Sequence, residues 1–365
     1  MKKVPLVGLS GTQLQRVTER GGTPGGASWY THEVHKRIPA RAGWLGKLSN
    51  DAQVREIALW NSGLLERLPA AISTGVLHAE TTTEPDGTRI GTLMMRDLQA
   101  YRLRDGHGRP LRDPPVTPPG RLPKTVARIL RGLAGMHATF WEDRQLDDPE
   151  AGLMSASDAL LLLAPDRLIT LLSEGETAPY VRLALSGWEA FFALAAPADA
   201  ETLRQVLEAP EHVLRSLSTV PRTLVHDDVW GPNLGLLPAT RRAPRRGPSL
   251  LLLDWALATA GPCTYDVLWL SGTWHTLDPE RLLAAYRPRL ERELWVRGKP
   301  ISSATWGALV DAGYLRTALT CGEALARNAI SRDSGAGRRR LERRLRWWAA
   351  RAARAARRLE LREIS

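Results

Sequence analysis

The sequence predicts an α+β fold of two lobes, an N-terminal lobe built on an antiparallel sheet and a mostly helical C-terminal lobe. Two extended segments flank a glycine run near the start, and long Leu- and Ala-rich segments with helical spacing fill the second half. Between them lies a proline- and glycine-rich stretch that cannot form a regular element. We therefore predict an N-terminal lobe of residues 1–104, a linker of residues 105–120, a C-terminal lobe of residues 121–337 and a terminal basic helix of residues 338–365.

Composition excludes several classes of protein. With 365 residues, 43% of them hydrophobic, the chain can bury a large core. Its apolar segments are too short to span a bilayer or to act as a secretory signal, so we expect a cytoplasmic protein. Cys263 and Cys321 lack the spacing of a zinc site or a disulfide framework.

The N-terminal lobe is predicted to open with a strand, a glycine turn and a second strand. The first strand includes Leu14 to Val17, and the second runs from Trp29 to Ile38 and carries Lys36. Between them lie Gly21, Gly22, Gly25 and Gly26. Glycines let backbone N–H groups approach a phosphate closely, but an ordinary hairpin turn has the same composition. Both interpretations of the glycine run stay open.

Two further elements complete this lobe. Asn50 and Asp51 are typical helix-capping residues, and the apolar spacing after them predicts a helix that carries Glu56 and ends near Pro69. Residues 88–95 alternate as a strand does.

The C-terminal lobe is predicted to contain a core helix at Leu122–Trp141 and shorter helices at residues 151–217. We expect His137, in the core helix, to be a hydrogen-bonded packing residue rather than a catalyst. The terminal helix is amphipathic and carries most of the formal net charge of +11. It either binds an anionic partner, a membrane surface or nucleic acid, or docks by its Leu and Trp residues with its arginines in water. We prefer the second interpretation.

The segment Leu224–Asp254 carries the chemistry. It contains His226, Asp227 and Asp228 in succession, Asn233 five residues after Asp228, and a leucine run that ends on Asp254. This is the spacing of a kinase catalytic loop followed by its metal-binding aspartate. We expect Asp228 to orient the acceptor hydroxyl and take its proton, and Asn233 and Asp254 to bind Mg²⁺. Local side-chain hydrogen bonding is the alternative explanation.

The loop departs from that of protein kinases at two places. Trp230 stands where protein kinases usually carry Lys, and the strand ends Asp254-Trp255 rather than Asp-Phe-Gly. The pattern resembles the aminoglycoside phosphotransferase and choline kinase superfamily of small-molecule kinases, whose usual form is His-Gly-Asp-x-x-x-x-Asn and then Ile-Asp-Trp. Asp227 replaces the usual Gly. It leaves open which carboxylate faces substrate, although the spacing to Asn233 favours Asp228.

This resemblance implies a bilobal protein-kinase-like fold and further site residues. Lys36 would pair with the nucleotide phosphates, the four glycines would approach them, and Glu56 would hold Lys36 by an ion pair. A solvent-facing position is the alternative for Glu56. Backbone groups near Met95 and Asp97 would contact the purine. Asp266 would brace the catalytic loop without touching substrate.

The predicted function is transfer of the γ-phosphoryl group of ATP or GTP to a hydroxyl of a small molecule, with Mg²⁺ as cofactor. The helices after Asp266 show no acidic excess, which favours a neutral or anionic acceptor over a polycationic aminoglycoside. The alternative is a catalytically inactive kinase-like protein that binds nucleic acid or membrane through its arginine-rich helix. A metal-dependent hydrolase is a third hypothesis, but no ligand set with the right spacing completes such a site.

Overall fold

The computed structural model describes residues 2–6, 12–22, 28–103, 111, 122–238, 249–331 and 335–362. The predicted α+β arrangement is confirmed, with an antiparallel sheet in the first hundred residues and helices dominating the rest. Gly25 and Gly26 lie outside the described residues, as does the predicted linker of residues 105–120 apart from Leu111.

Five antiparallel strands form the N-terminal sheet. They are β1 Lys2–Leu6, β2 Gln13–Gly22, β3 Ser28–Pro39, β5 Val76–Thr83 and β6 Arg89–Arg96, in the order β1-β2-β3-β6-β5, while the short strand β4 Ile72–Ser73 pairs elsewhere. The predicted hairpin is β2 and β3, with Leu14 opposite Lys36. β1 was not predicted from the sequence. The alternating segment at residues 88–95 is β6, next to β3.

Two short helices, α1 Gly43–Leu48 and α2 Arg55–Asn61, follow β3. Ile57 of α2 packs against Ile38 and Leu93 of the sheet, and together they form a small apolar core. Asp51 caps α2 as expected, because its Oδ1 accepts the N–H of Arg55 at 2.7 Å. The predicted helix end near Pro69 is wrong. The helix ends at Asn61, and Gly63 adopts φ +75°, which an α-helix cannot continue.

Ten further helices among the described residues build the C-terminal lobe. They are α3 Lys124–Thr139, α4 Ala156–Leu160, α5 Pro165–Ser173, α6 Pro179–Leu194, α7 Pro197–Glu208, α8 Glu211–Ser218, α9 Thr264–Thr273, α10 Pro279–Val296, α11 Ser303–Ile330 and α12 Ala336–Arg362, of which α12 is the terminal basic helix. The predicted core helix is α3, and α4 to α8 are the predicted shorter helices. α11 is buried along most of its length and packs against α6, α9 and α12.

Two small sheets in this lobe carry the segment with the chemistry. β7 Thr223–Val225 pairs with β10 Thr259–Gly261, and β8 Leu234–Leu237 pairs with β9 Ser249–Leu252. β4 adds to β9 in parallel, which ties the N-terminal lobe to this sheet. The leucine run is therefore a buried strand, as predicted, and the catalytic loop connects β7 to β8.

Helix α12 is an integral part of the C-terminal lobe. Leu345 and Trp348 are buried, and the helix packs against α7, α8 and α11. Several of its arginines bind other parts of the protein. Arg344 donates to the carbonyl oxygen of Ser271 at 2.6 Å, and Arg351 pairs with Glu280. Docking of the apolar face, which we preferred, is confirmed, but the expectation that the arginines lie in water is wrong for Arg344, which is half-buried and donates to two carbonyl oxygens. No helix in the described ranges combines the length and apolarity needed to cross a membrane.

Candidate active site

Asp228 and Asn233 face each other across the loop between β7 and β8. Asn233 Nδ2 donates to Asp228 Oδ2 at 2.7 Å and to the Asp228 carbonyl oxygen at 3.2 Å. A single 3₁₀ turn, Gly231–Asn233, brings the two residues together. Because the amide nitrogen of Asn233 is used in this way, its Oδ1 is the atom left to coordinate a cation.

His226 fixes the start of the loop. Its Nε2 lies 3.0 Å from the carbonyl oxygen of Leu253, and its Nδ1 lies 3.3 Å from the backbone nitrogen of Asp228. These contacts need a neutral ring with the proton on Nε2, which donates to Leu253, while Nδ1 accepts from Asp228. Burial also lowers the pKa of His226, which favours the same neutral form. His226 thereby links the catalytic loop to the end of β9, directly before Asp254.

Lys36 connects the two lobes at the site. Its Nζ forms an ion pair with Glu56 of α2 and lies 2.9 Å from Asp254 Oδ1. The predicted contact between Lys36 and Glu56 is therefore present, and the solvent-facing alternative for Glu56 is wrong, because Glu56 is buried. Glu56 Oε1 also accepts the N–H of Trp255 at 3.3 Å. The pair from the N-terminal lobe thus contacts the residues that follow β9.

These contacts set the charges of the site. Burial alone would lower the pKa of Lys36, but Asp254 and Glu56 raise it above its usual value. Burial raises the pKa of Glu56, with partial opposition from Lys36. Burial would also raise the pKa of Asp254, but Lys36 holds it below its usual value. Lys36 and Asp254 are therefore both charged at neutral pH.

The surroundings of Asp228 differ from those of Asp254, because no cation contacts its carboxylate among the described residues. Burial and the negative charges of Asp254 and Asp227 raise its pKa well above the usual value, while hydrogen bonds from Asn233 and Trp230 oppose the shift. Its hydrogen-bond partners are neutral donors. A carboxylate in such surroundings accepts a proton more readily than an exposed one.

Asp266 braces the catalytic loop, as the resemblance implies. It is fully buried at the start of α9, where its Oδ2 accepts the N–H of His226 at 3.1 Å and its Oδ1 accepts the N–H of Asp227 at 2.8 Å. His137 Nε2 lies 3.1 Å from Asp266 Oδ2, and His137 Nδ1 lies 2.5 Å from the hydroxyl of Tyr286. The expectation that His137 packs and hydrogen-bonds is confirmed.

Asp227 points away from the site. It has φ +59°, and its Oδ2 lies 2.5 Å from Arg316 Nη2 in the fully buried interior of the C-terminal lobe. Glycine adopts positive φ without strain, which accounts for its usual presence at this place in the motif. Burial raises the pKa of Asp227 to about 7, with Arg316 opposing the shift. Of the two adjacent aspartates, Asp228 is the one beside Asn233.

The other predicted nucleotide contacts that the structure describes lie at or just after the ends of inner strands of the N-terminal sheet. Gly21 and Gly22 end β2, opposite Trp29 and Ser28 of β3. Met95 in β6 pairs with Val34.

After β6, the Asp97 carboxylate forms an ion pair with Arg16 at 2.6 Å. The N–H of Asp97 donates to the carbonyl oxygen of His32 at 3.1 Å, and the N–H of Arg96 donates to the carbonyl oxygen of Gly75 at 2.9 Å. Both amides therefore have backbone partners.

Sequence reasoning missed two buried arginines. Arg55 donates to the carbonyl oxygens of Gly152, Ser49 and Ala256, so it ties α2 to the chain just after Asp254. Arg316 binds Asp227. Neither residue belongs to the motif that locates the site. In an arginine-rich chain, the sequence does not distinguish a buried arginine from an exposed one.

A family comparison assigns the chain. The model of the phosphotransferase enzyme family (APH) matches residues 86–301. The chain belongs to this family. The matched range contains Asp228, Asn233 and Asp254, whereas Lys36 and Glu56 lie before it. A sequence search of curated proteins finds no match.

Solved structures of similar proteins have low sequence identity to this phosphotransferase family member. The choline kinase LicA from Streptococcus pneumoniae has 13% identity and a TM-score of 0.42, over 96% of this chain and 93% of LicA. The choline kinase from Cryptosporidium parvum has 10% identity and a TM-score of 0.45, over 96% and 88%. A thermostable mutant of aminoglycoside phosphotransferase APH(4)-Ia, bound to AMP-PNP and hygromycin B, has 12% identity and a TM-score of 0.39, over 97% and 93%. The antiparallel N-terminal sheet, the helical C-terminal lobe and the family match agree with the predicted bilobal fold.

Proposed function

We propose that this protein transfers the γ-phosphoryl group of ATP or GTP to a hydroxyl group of a small molecule, with Mg²⁺ as cofactor. The observation that carries the proposal is the convergence of Lys36, Asp228, Asn233 and Asp254 from both lobes. Membership of the phosphotransferase family supports it. A protein without this activity has no physical need for the buried pair of Lys36 and Glu56 in contact with Asp254 beside the catalytic loop.

The donor set fits Mg²⁺. Asp254 offers a carboxylate that is 44% exposed, and Asn233 offers an amide oxygen. Mg²⁺ prefers oxygen ligands and is usually held by one or two carboxylates together with substrate phosphates and water. Within the described ranges, no group of three or more His, Cys, Asp or Glu residues forms a metal site by itself. Asp254 and Asn233 would therefore hold Mg²⁺ together with the nucleotide, where it would neutralise phosphate charge.

The residues of the chain divide the work of the reaction. Lys36 stays protonated, because Glu56 and Asp254 raise its pKa, and it pairs with the phosphates as a point charge. Asp228 accepts a hydrogen bond from the acceptor hydroxyl and takes its proton as the oxygen bonds to the γ-phosphorus. The bond from the γ-phosphorus to the bridging oxygen of the β-phosphate breaks, and the nucleoside diphosphate leaves. Asn233 fixes the Asp228 carboxylate through the 2.7 Å bond. Positioning and charge neutralisation supply the catalysis, so no covalent enzyme intermediate is required.

We further propose that nucleotide binds between the sheet and the catalytic loop. The end of β2 with Gly21 and Gly22, together with Gly25 and Gly26, would approach the phosphates, and the segment with Met95 and Asp97 would contact the purine. The acceptor is proposed to be neutral or anionic, because the helices after Asp266 carry no acidic excess.

The test is Mg²⁺-dependent consumption of ATP and GTP with a panel of hydroxylated acceptors that are neutral, anionic or polycationic. We expect one class to gain a phosphate, detected by mass spectrometry of the acceptor. Asp228→Asn should retain nucleotide binding and lose at least about a hundredfold in kcat, because general-base catalysis contributes about that much. Asp166→Asn, which changes an exposed aspartate on α5, is the matched control and should keep full activity.

A parent protein that binds nucleotide and phosphorylates nothing on the panel would contradict the proposed transfer. Failure to bind any nucleotide would contradict the roles of Lys36 and the glycine turn. Full activity of Asp228→Asn would contradict the role of Asp228 as the base that takes the proton of the acceptor hydroxyl.

A further inference from the structure

A buried ion pair joins the catalytic loop to helix α11. Arg316 Nη2 lies 2.5 Å from Asp227 Oδ2, and neither side chain has any solvent exposure. The Arg316 guanidinium also lies over the ring of Trp269, with Cζ 5.6 Å from the ring centroid. Arg316 Nε and Nη1 have no hydrogen-bond partner among the described residues. Asp227 is therefore the charged contact that holds the guanidinium in place.

The turn itself does not require this pair. Asp227 has φ +59°, which glycine adopts freely and other residues adopt at a cost. The backbone already has an anchor, because the N–H of Asp227 donates to Asp266 Oδ1. A carboxylate at this position also adds a buried negative charge beside Asp266 and Asp228, which is unfavourable unless it is paired. The chain thus carries strain and charge that a glycine would avoid, and Arg316 offsets the charge.

We propose that Arg316 is a positioning residue for phosphoryl transfer, which holds Asp227 and so fixes the orientation of Asp228. This inference rests on the proposed function. Asp228 follows directly from a residue that is held at two points, its amide by Asp266 and its carboxylate by Arg316. Rotation of the Asp227 backbone would move the Asp228 carboxylate away from Asn233, to which it is bonded at 2.7 Å.

The contact between Arg316 and Asp227 links the catalytic loop to the packing of helix α11. Helix α11 is the long buried helix of the C-terminal lobe and packs against α6, α9 and α12. Through Arg316, the packing of these helices sets the direction of the carboxylate that receives the proton. The orientation of Asp228 is therefore a property of the helical lobe as well as of its own loop.

Two variants separate positioning from stability. Arg316→Met leaves Asp227 buried without its partner, so we expect a lower unfolding midpoint in urea. The double variant Asp227→Gly with Arg316→Met removes both charges and supplies the residue suited to φ +59°, so we expect most of that midpoint to return. Its kcat should still be about tenfold below that of the parent, the scale for loss of an outer partner of a site residue. The KM for nucleotide should be unchanged, because Lys36 and Asp254 are not altered.

Two further variants complete the experiment. Arg316→Lys keeps a positive charge at this depth and should recover part of the kcat lost in Arg316→Met. Arg327→Met is the matched control, since Arg327 lies on the same helix and pairs with Glu323 at 3.4 Å. It should change stability without changing kcat.

The outcomes distinguish this inference from the proposed function. A stable double variant with the kcat of the parent would show that the pair is only structural and would overturn the positioning role. A parent protein that transfers phosphate to no acceptor would overturn the proposed function, and the positioning role of Arg316 with it.

Discussion

Replacing Lys36 with methionine removes the cation that two site carboxylates share. The side chains of Lys36 and Glu56 are each 7% exposed, whereas that of Asp254 is 44% exposed. Methionine keeps an unbranched apolar stem, so the change removes charge with little change in packing. After the substitution Asp254 can regain water, but Glu56 is left as an unpaired carboxylate in the interior.

The magnitude follows from this geometry. At an effective dielectric constant of about 20, unit charges separated by 2.9 Å, as in Lys36 and Asp254, attract by about 6 kcal/mol. Desolvation of the ions offsets several kcal/mol of that attraction. We expect Lys36→Met to lower the free energy of unfolding by about 3–5 kcal/mol, the range for removing one partner of a buried pair. The larger part should come from Glu56, so Glu56→Gln in the same chain should recover much of the loss.

Urea unfolding followed by tryptophan fluorescence measures the stability, and titration with a fluorescent ATP analogue measures nucleotide binding. Lys36→Met should bind the analogue more weakly, because it loses the point charge proposed to face the phosphates. The control is Lys47→Met. Lys47 is 41% exposed and pairs with Glu176 at 3.1 Å, so its loss should cost less than about 1 kcal/mol. The reasoning is refuted if Lys36→Met matches Lys47→Met in stability and the parent in nucleotide binding.

Three other perturbations test separate parts of the structure. Burial raises the pKa of Glu323 from 4.5 to about 7, so its contribution to stability should be greatest below the lower value and fall by about 3 kcal/mol as the pH rises to the higher one; urea unfolding at about pH 5 and about pH 8 should show a total fall that is smaller by about this amount in Glu323→Gln than in the parent, because Asp227 contributes a fall of its own to both proteins. Arg55→Met leaves three carbonyl oxygens without their donor and should raise the KM for nucleotide by loosening α2 from the chain after Asp254, measured beside the control Arg327→Met. Removing residues 336–362 exposes the face that Leu345 and Trp348 cover, so it should increase binding of a hydrophobic dye, and an unchanged thermal transition would contradict the packing.

The residues of the site could be predicted from the sequence, but not all of the contacts that hold them in place. The motif placed Asp228, Asn233 and Asp254 because these residues lie close in sequence and the chemistry fixes their spacing. Lys36 and Glu56 could be predicted because an ion pair between a strand and a helix recurs in this fold. Arg316 could not, since its contact with Asp227 crosses from the loop to a distant helix and leaves no local pattern. The end of α2 was missed for a similar reason, as Leu64 and Leu65 are buried in turns with the same apolar character as a helix face.

The partners of the acidic residues distinguish Asp228 from its neighbours. Glu56 and Asp254 share Lys36, Asp227 has Arg316, and Asp266 accepts two backbone N–H groups. Asp228 instead accepts from the neutral groups of Asn233 and Trp230, and its pKa is raised well above the usual value.

Lys36 holds the pKa of Asp254 below its usual value, which makes Asp254 a poor proton acceptor. The carboxylates of Glu56, Asp227 and Asp266 are occupied by Lys36, Arg316 and backbone N–H groups, so these acids are suited to bracing the site. From this distribution of charge we infer that Asp228 is the residue that receives the proton. Removing a neutral donor from Asp228 should therefore raise its pKa further while leaving the fold intact. Trp230→Phe removes the side-chain hydrogen bond that opposes the raised pKa of Asp228 and leaves Asn233 and Asp254 in place. We expect the acid limb of the kcat–pH profile to move to higher pH in Trp230→Phe with little effect on nucleotide affinity, and an unchanged profile would contradict the assignment of Asp228 as the base.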